Sequence, residues 1–284
     1  MARLRISFLS MWLYLLFGWQ PACAQKECAD CNNALVIDSL IKHYIDNRAE
    51  KLPLSYNDPR WQDYCDSVIR ICPNAADAYQ LKALTYTKYG DYAKALPLID
   101  AAVRYDTLGF LSYRAFIKCI FTKDYSAALA DFKLADSLYR GEYVMDHSHY
   151  FFMGLCNLET NNLAAAEKDF LKDIQMAKGI DSTGTPHFNS LLYAGILYLK
   201  LNDLDKAAFY LDQCLRIYTL HPEGNFYRAK VAALQKDSIK QKLFLEKAKE
   251  AYLKNYRMNE GNIYYVNYPE QITLYEISAA LGKQ

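Results

Sequence analysis

Two groups of residues in this 284-residue chain have types and spacing that could carry chemistry, a cysteine pair and a histidine cluster. Cys28 and Cys31 form a C-x-x-C motif in a polar stretch. Such a pair can form a disulfide, exchange thiols or supply half of a zinc site. No thioredoxin-like βαβ pattern follows it, and the missing histidine after Cys31 excludes covalent haem attachment. We therefore predict that Cys28 and Cys31 form a stapling disulfide near the N-terminus.

The histidine cluster is Asp146-His147-Ser148-His149. Two imidazoles two residues apart at a helix start could share a metal, but a solvent-exposed loop or a helix N-cap is the favoured interpretation. The sequence contains no G-x-G-x-x-G, P-loop, H-E-x-x-H or G-x-S-x-G motif. We therefore predict a protein that is not an enzyme and that uses neither a metal nor a cofactor.

The first 24 residues have the three regions of a secretory signal peptide. Residues 1–5 are cationic, residues 6–19 are apolar, and small residues follow up to Ala24. The apolar run is shorter than the ~20 residues that span a bilayer. We predict cleavage near Ala24 and a periplasmic or secreted protein without a transmembrane span. An uncleaved anchor and a lipoprotein modified at Cys23 are the alternatives.

The composition limits the fold and the partners. There are 33 Lys and Arg residues against 32 Asp and Glu residues, so the chain lacks the positive charge that neutralises nucleic-acid phosphates. Hydrophobic residues make up 52% of the chain, enough to bury a core. Only 11 glycines and 8 prolines accompany 25 tyrosines, a composition that favours long helices over turn-rich β structure.

An internal repeat dominates the sequence. Turn-like sites recur at Gly90-Asp91-Tyr92, Lys123-Asp124-Tyr125, Asn161-Asn162-Leu163 and Asn202-Asp203-Leu204, with a weaker one at Lys236-Asp237-Ser238. Four residues beyond each of the first four Asp or Asn positions stands an alanine, and four further on a bulky residue: Ala95/Ile99, Ala128/Phe132, Ala166/Phe170 and Ala207/Leu211. Small residues also precede the turns, namely Ala83, Ala115, Gly154, Gly195 and Ala229. Small residues on two helices let the backbones approach, which predicts antiparallel helix pairs.

These positions resemble the tetratricopeptide repeat family, best over residues 79–106. The resemblance implies an all-α fold, a right-handed α-solenoid of stacked antiparallel helix pairs. Ala115 lies nine rather than eight residues before Asp124, so the register of the second unit stays open by one residue. Tyr268-Pro269 is expected to open a last, capping helix. The predicted divisions are a signal peptide (1–24), a Cys-containing linker (25–33), a degenerate leading pair (34–75), an array (76–256; units about 76–107, 108–139, 147–178, 187–219 and 222–254) and a cap (257–284).

The resemblance implies that the first helix of each pair lines a concave groove that binds a peptide or protein segment. The matching positions, which exclude the second unit, are Asp77, Gln80, Leu84, Thr87, Lys88, Phe151, Leu155, Leu158, Glu159, Asn189, Leu192, Ile196, Leu199, Lys200, Phe226 and Lys230. Several of them, notably Leu155, Ile196 and Leu199, could instead pack between helices. The last helix could also fill the groove.

The expected function is that of an exported scaffold or adaptor whose partner is another protein or peptide segment of the cell envelope. Gln80 and Leu84 stand where chaperone-tail-binding members of the family carry a basic, Asn-rich clamp, so that subtype is excluded. The alternative is a cell-surface or periplasmic accessory protein that binds glycans or peptides for uptake, again without catalysis.

Overall fold

The computed structural model describes residues 29–52, 58–140, 142–177, 184–256 and 268–282. The predicted leader, its cleavage site and Cys28 lie outside these residues. The described part of the chain is almost entirely helical, which confirms the predicted all-α solenoid. Its α-helices are α1 (Ala34–Ile41), α2 (Pro59–Ile71), α3 (Ala76–Lys88), α4 (Tyr92–Tyr105), α5 (Thr107–Phe116), α6 (Tyr125–Leu138), α7 (His149–Glu159), α8 (Leu163–Ala177), α9 (Phe188–Lys200), α10 (Leu204–Ile217), α11 (Pro222–Leu234), α12 (Ser238–Leu253) and α13 (Leu274–Leu281). A π-helical segment, Lys42–Ala49, continues α1, and two short antiparallel strands, β1 (Tyr143–Val144) and β2 (His147–Ser148), precede α7.

Successive helices pack as antiparallel pairs: α3 with α4, α5 with α6, α7 with α8, α9 with α10 and α11 with α12. Each pair also contacts the next one along the chain. The first helices touch one another in series, α7 with α9 and α9 with α11. The sequence predicts the groove on the surface formed by the first helices α3, α5, α7, α9 and α11, and we therefore call this surface the concave face.

The turn between the two helices of a pair begins in the same way in every unit of the array. Its first residue adopts a positive φ, at Gly90, Lys123, Asn161, Asn202 and Lys236. The next residue is an Asp in four of these turns, and its carboxylate accepts the backbone N–H three residues later as an N-cap: Asp91, Asp124, Asp203 and Asp237. One residue therefore ends the first helix and the next residue starts the second.

The second unit contains one extra residue. Helix α5 continues as a π-helical segment over Ile117–Thr122. In the other turns the N-cap N–H bonds the carbonyl five residues earlier, as Asp91 does to Tyr86, whereas the Asp124 N–H reaches back six residues to Lys118. A π-bulge accommodates a single inserted residue. This insertion is the physical reason that Ala115 lies nine residues before Asp124.

Small residues in the first helices face bulky residues in the second. A methyl group built on Gly154 would lie 2.6 Å from Phe170 Cδ1, and one on Gly195 would lie 2.5 Å from Leu211 Cγ. Both bulky side chains are fully buried. The helices of these two pairs therefore approach so closely that a single added carbon has no room.

The leading unit corrects the disulfide prediction. Cys31 bonds Cys72, with a Cα–Cα distance of 5.3 Å, so the predicted pairing of Cys31 with Cys28 is wrong. The segment before α1 lies against the C-terminal end of α2, and Asn74 Nδ2 donates to the Cys31 carbonyl at 2.8 Å. The disulfide spans 41 residues and therefore staples the first helices to the start of the array. Cys65, Cys119, Cys156 and Cys214 are free and buried.

The last helix begins later than predicted. Tyr268 and Pro269 precede a turn, and α13 starts only at Leu274. Thr273 is its N-cap and forms a capping box with Glu276. Because the box satisfies the first backbone N–H groups there, the helix begins at this point, and residues 268–273 remain non-helical. We call residues 268–273 the C-terminal segment.

Candidate functional site: the concave face

The concave face is accessible on α3. Asp77 is exposed, and Gln80, Leu84 and Lys88 are half-buried. Gln80 hydrogen-bonds Tyr113 of α5, a contact that counteracts the rise that burial causes in the tyrosine pKa. The predicted residues of α3 therefore form an accessible surface. The Gln80–Tyr113 hydrogen bond joins this surface to the neighbouring first helix, α5.

The apolar residues predicted on α7, α9 and α11 are buried. Phe151, Leu155 and Leu192 have no exposed surface, and Phe226 is 4% exposed. They belong to the main hydrophobic core, together with Leu158 and Ile196. The predicted polar residue Asn189 is also buried, whereas Glu159 is half-buried and Lys200 and Lys230 are exposed.

The C-terminal segment lies across α9 and α11. The Tyr193 hydroxyl of α9 donates to the Pro269 carbonyl at 2.7 Å. The Tyr227 hydroxyl of α11 lies 2.8 Å from the Glu270 carbonyl and 2.9 Å from its carboxylate. Tyr268 is 7% exposed and joins the main core. This part of the concave face is therefore already occupied by the C-terminal segment. The occupying residues precede the last helix, α13, and are not part of it.

A basic site receives the carboxylate of Glu270. Lys200 forms an ion pair with it, and Lys230 adds positive charge nearby. Burial alone would raise the pKa of Glu270, but the ion pair and the Tyr227 hydrogen bond lower it below its usual range. Burial and the negative charge of Glu270 instead raise the pKa of the neighbouring Glu159. We call Lys200, Tyr227 and Lys230 the carboxylate seat.

Sequence reasoning missed Tyr193 and Tyr227. Each stands one residue after a predicted groove position, Leu192 or Phe226, and Phe152 occupies the same place in α7. A buried tyrosine needs a partner for its hydroxyl, and the partners of these two are main-chain carbonyls of the C-terminal segment. Aromatic residues recurring in step with the repeat were the signal that could have revealed a bound segment.

His147, Ser148 and His149 are buried, whereas Asp146 is exposed, so the predicted solvent-exposed loop is wrong for the two histidines and the predicted helix N-cap is confirmed. His147 stacks on Phe151 with ring centroids 3.8 Å apart and meets His187 edge-on at 4.4 Å. Burial and then the charge of His187 lower the pKa of His147 to about 3. Ser148 is the N-cap of α7. Within the described residues, no group of three or more His, Cys, Asp or Glu side chains is placed to hold a metal ion.

Comparisons with known proteins agree with the repeat architecture. Residues 191–219 match the tetratricopeptide repeat family. The structure is similar to that of PilW, a type IV pilus biogenesis factor, with a TM-score of 0.61 and 13% identity over 79% of this chain and 96% of that one. PilF of Pseudomonas aeruginosa gives 0.59 and 17%, over 76% and 94%.

A chain of the APC/C hetero-tetramer Cut9-Hcn1 is also similar, with a TM-score of 0.59 and 15% identity, over 89% of this chain and 50% of that chain. At these identities the likeness concerns the fold. No curated protein matches the sequence significantly. In the ranges that the structure describes, no helix combines the length and hydropathy of a membrane-spanning segment.

Proposed function

We propose that this protein is an exported scaffold or adaptor that binds a segment of another envelope protein along its concave face. The observation that carries the proposal is the contact between the C-terminal segment and α9 and α11. Tyr193 and Tyr227 bind main-chain carbonyls there, so the groups that hold the segment recognise peptide backbone. A surface that holds a segment of its own chain in this way has the chemistry to hold a segment of another.

Two further observations support the proposal. The α3 part of the concave face offers accessible charged, amide and aliphatic side chains. The leader-like N-terminus and the Cys31–Cys72 disulfide fit an oxidising compartment outside the cytoplasm. PilW and PilF have the same type of fold, and the former is a type IV pilus biogenesis factor.

The glycan-binding alternative is less well supported. Sugar binding uses exposed aromatic faces, whereas Phe151, Tyr193, Phe226 and Tyr227 on the concave face are buried. The exposed aromatic side chains of the described residues include Tyr143, Phe209 and Tyr275, which lie on three different elements.

A pull-down from envelope extracts after crosslinking tests the proposal. Asp77→Lys with Gln80→Lys changes the accessible concave surface of α3. The second change also removes the hydrogen bond to Tyr113, so circular dichroism is used to check that the variant keeps its fold. Asp205→Lys is the matched control, since Asp205 is also an exposed acid in the first turn of its helix, α10, a second helix of its pair. We expect the double variant to lose its crosslinked proteins and the control to retain them. Identical proteins captured by wild type and both variants would contradict a role for the concave face.

A further inference from the structure

The turn in the C-terminal segment places Glu270 at a backbone position that disfavours it. Glu270 has a φ of 57°, and the Gln271 N–H returns to the Tyr268 carbonyl. Proline followed by a positive φ is the pattern of a type II turn, whose third residue is usually glycine or asparagine. A glutamate here carries a conformational cost that glycine would avoid.

The contacts of the Glu270 side chain compensate for that cost. Lys200 and the Tyr227 hydroxyl both bind its carboxylate, and the charge of Lys230 lowers its pKa further. Lys230 is itself positioned over the ring of Tyr227, 4.8 Å from the centroid. The carboxylate seat is therefore a built site for an acid, held by side chains from two successive first helices.

The apolar residues on either side of the turn also pack against the helices of the solenoid. Tyr268 is 7% exposed and Ile272 is 3% exposed, and both belong to the main core. Between them the turn is anchored through Tyr193 and Tyr227. The site thus recognises an aromatic residue, a proline turn and a carboxylate in that order, with an aliphatic residue two positions after the acid.

We propose that the α9–α11 part of the concave face is a binding site for an aromatic-proline-acid turn of a partner protein, and that residues 268–273 occupy this site in cis until such a partner displaces them. The inference rests on the proposed function and specifies the partner's chemistry. Side chains of α9 and α11 form the hydrogen bonds to Pro269 and Glu270 and the ion pair with Glu270, so an incoming peptide of the same sequence can form the same contacts. Intramolecular occupation raises the apparent Kd of the peptide, which equals the intrinsic Kd divided by the fraction of time that the site is empty.

The test uses the full chain and a fluorescent peptide with the sequence of residues 268–274, Tyr-Pro-Glu-Gln-Ile-Thr-Leu. Glu270→Ala loosens the cis segment and leaves the carboxylate seat intact. We expect this variant to bind the peptide at least tenfold more tightly than wild type in fluorescence anisotropy. Glu250→Ala is the matched control, because it removes an acid paired with Lys254 on the exposed face of α12, and it should bind as wild type does.

Reversing the charge of the peptide's glutamate, and then that of Lys200, tests whether the carboxylate seat binds the peptide's acid. The peptide carrying E270K should bind the Glu270→Ala chain at least tenfold more weakly, and adding Lys200→Glu to the chain should reverse the preference. Equal binding of both peptides, or equal binding by wild type and the Glu270→Ala variant, would overturn the proposal. Concentration-dependent dimerisation of the variant that excludes the peptide would assign the site to a second copy and would also overturn it.

Far-ultraviolet circular dichroism identifies any variant that fails to fold. If the chain with Lys200→Glu fails to fold, Tyr227→Phe, which keeps the ring and removes only the hydroxyl, replaces it in the Glu270→Ala background and should weaken peptide binding. Unchanged binding in this comparison would refute the seat. If Glu270→Ala itself fails to fold, Glu270→Gln, which keeps the side-chain length and removes the charge, replaces it. If the peptide fails while crosslinking through α3 succeeds, this inference is wrong and the proposed function stands.

Discussion

Gly195→Ala tests the packing on which the solenoid depends. The added methyl group would lie 2.5 Å from Leu211 Cγ, 2.9 Å from Leu211 Cδ2 and 3.3 Å from the Leu211 backbone nitrogen. Leu211 is fully buried, so its side chain has no solvent-facing space to move into. The backbone contact means that helices α9 and α10 themselves must separate.

Two opposing effects set the magnitude. Alanine favours a helix interior over glycine by about 1 kcal/mol. One extra carbon in a well-packed core costs about 1–3 kcal/mol, and the backbone contact places this site at the upper end. We therefore expect a net loss of about 1–2 kcal/mol in the free energy of unfolding, which lowers Tm by about 2–8 °C for a chain of this size.

Thermal melts followed by circular dichroism measure this change. Gly282→Ala is the control, because a methyl group there would lie 3.6 Å from the nearest atom, the Ser278 carbonyl oxygen. Combining Gly195→Ala with Leu211→Ala should cost less than the sum of the two single changes. The shorter side chain at 211 relieves the crowding, and the methyl group at 195 fills part of the cavity. A Gly195→Ala chain as stable as wild type, or more stable, would show that these helices are not in close contact and would refute the packing argument.

Three further predictions concern the buried cysteines and histidines. Burial holds the pKa of His147 at about 3, so between about pH 6.5 and pH 3 the unfolded chain binds a proton at this histidine and the folded chain does not. The free energy of unfolding should therefore fall as the pH decreases through this range, by up to about 1.4 kcal/mol per pH unit. Thermal melts at pH 7 and pH 5 should show a smaller loss of stability for His147→Phe than for wild type. Replacing Cys31 and Cys72 by alanine opens a 41-residue loop and should cost about 4 kcal/mol in denaturant unfolding, with no loss contradicting the bond. Burial raises the pKa of Cys65 and of Cys214 to about 12, so mass spectrometry after alkylation at pH 8 should find them unmodified in the folded protein and modified after unfolding.

The repeat could be predicted from sequence because its signals are local. The Asp91 N-cap, the positive φ of Gly90 and the facing of Gly195 by Leu211 all join residues within one helix pair. Such features depend on spacings of one or two helical turns, which the sequence shows directly. The sequence also showed the extra residue between Ala115 and Asp124. It did not show the π-helical segment that accommodates this residue.

The contacts that sequence reasoning missed join distant parts of the chain. Cys31 and Cys72 are separated by 41 residues, and their pairing depends on how the segment before α1 lies against α2. Tyr193 and Pro269 are 76 residues apart, and their hydrogen bond depends on where the chain returns after α12. Spacing within a repeat carries no information about such returns. The apolar groove positions were consequently assigned to an open surface with packing between helices as the alternative, and the alternative is correct for most of them, including Leu155 and Ile196.

The central claim is that the concave face binds a protein segment, and site-specific photo-crosslinking in intact cells that produce the protein tests it most directly. A photoreactive amino acid at Leu84, half-buried on α3, probes the concave face, and one at Phe209, 56% exposed on α10, is the control. The account predicts a discrete crosslinked protein from position 84 and none from position 209. The same products from both positions, or no product from position 84, would contradict it.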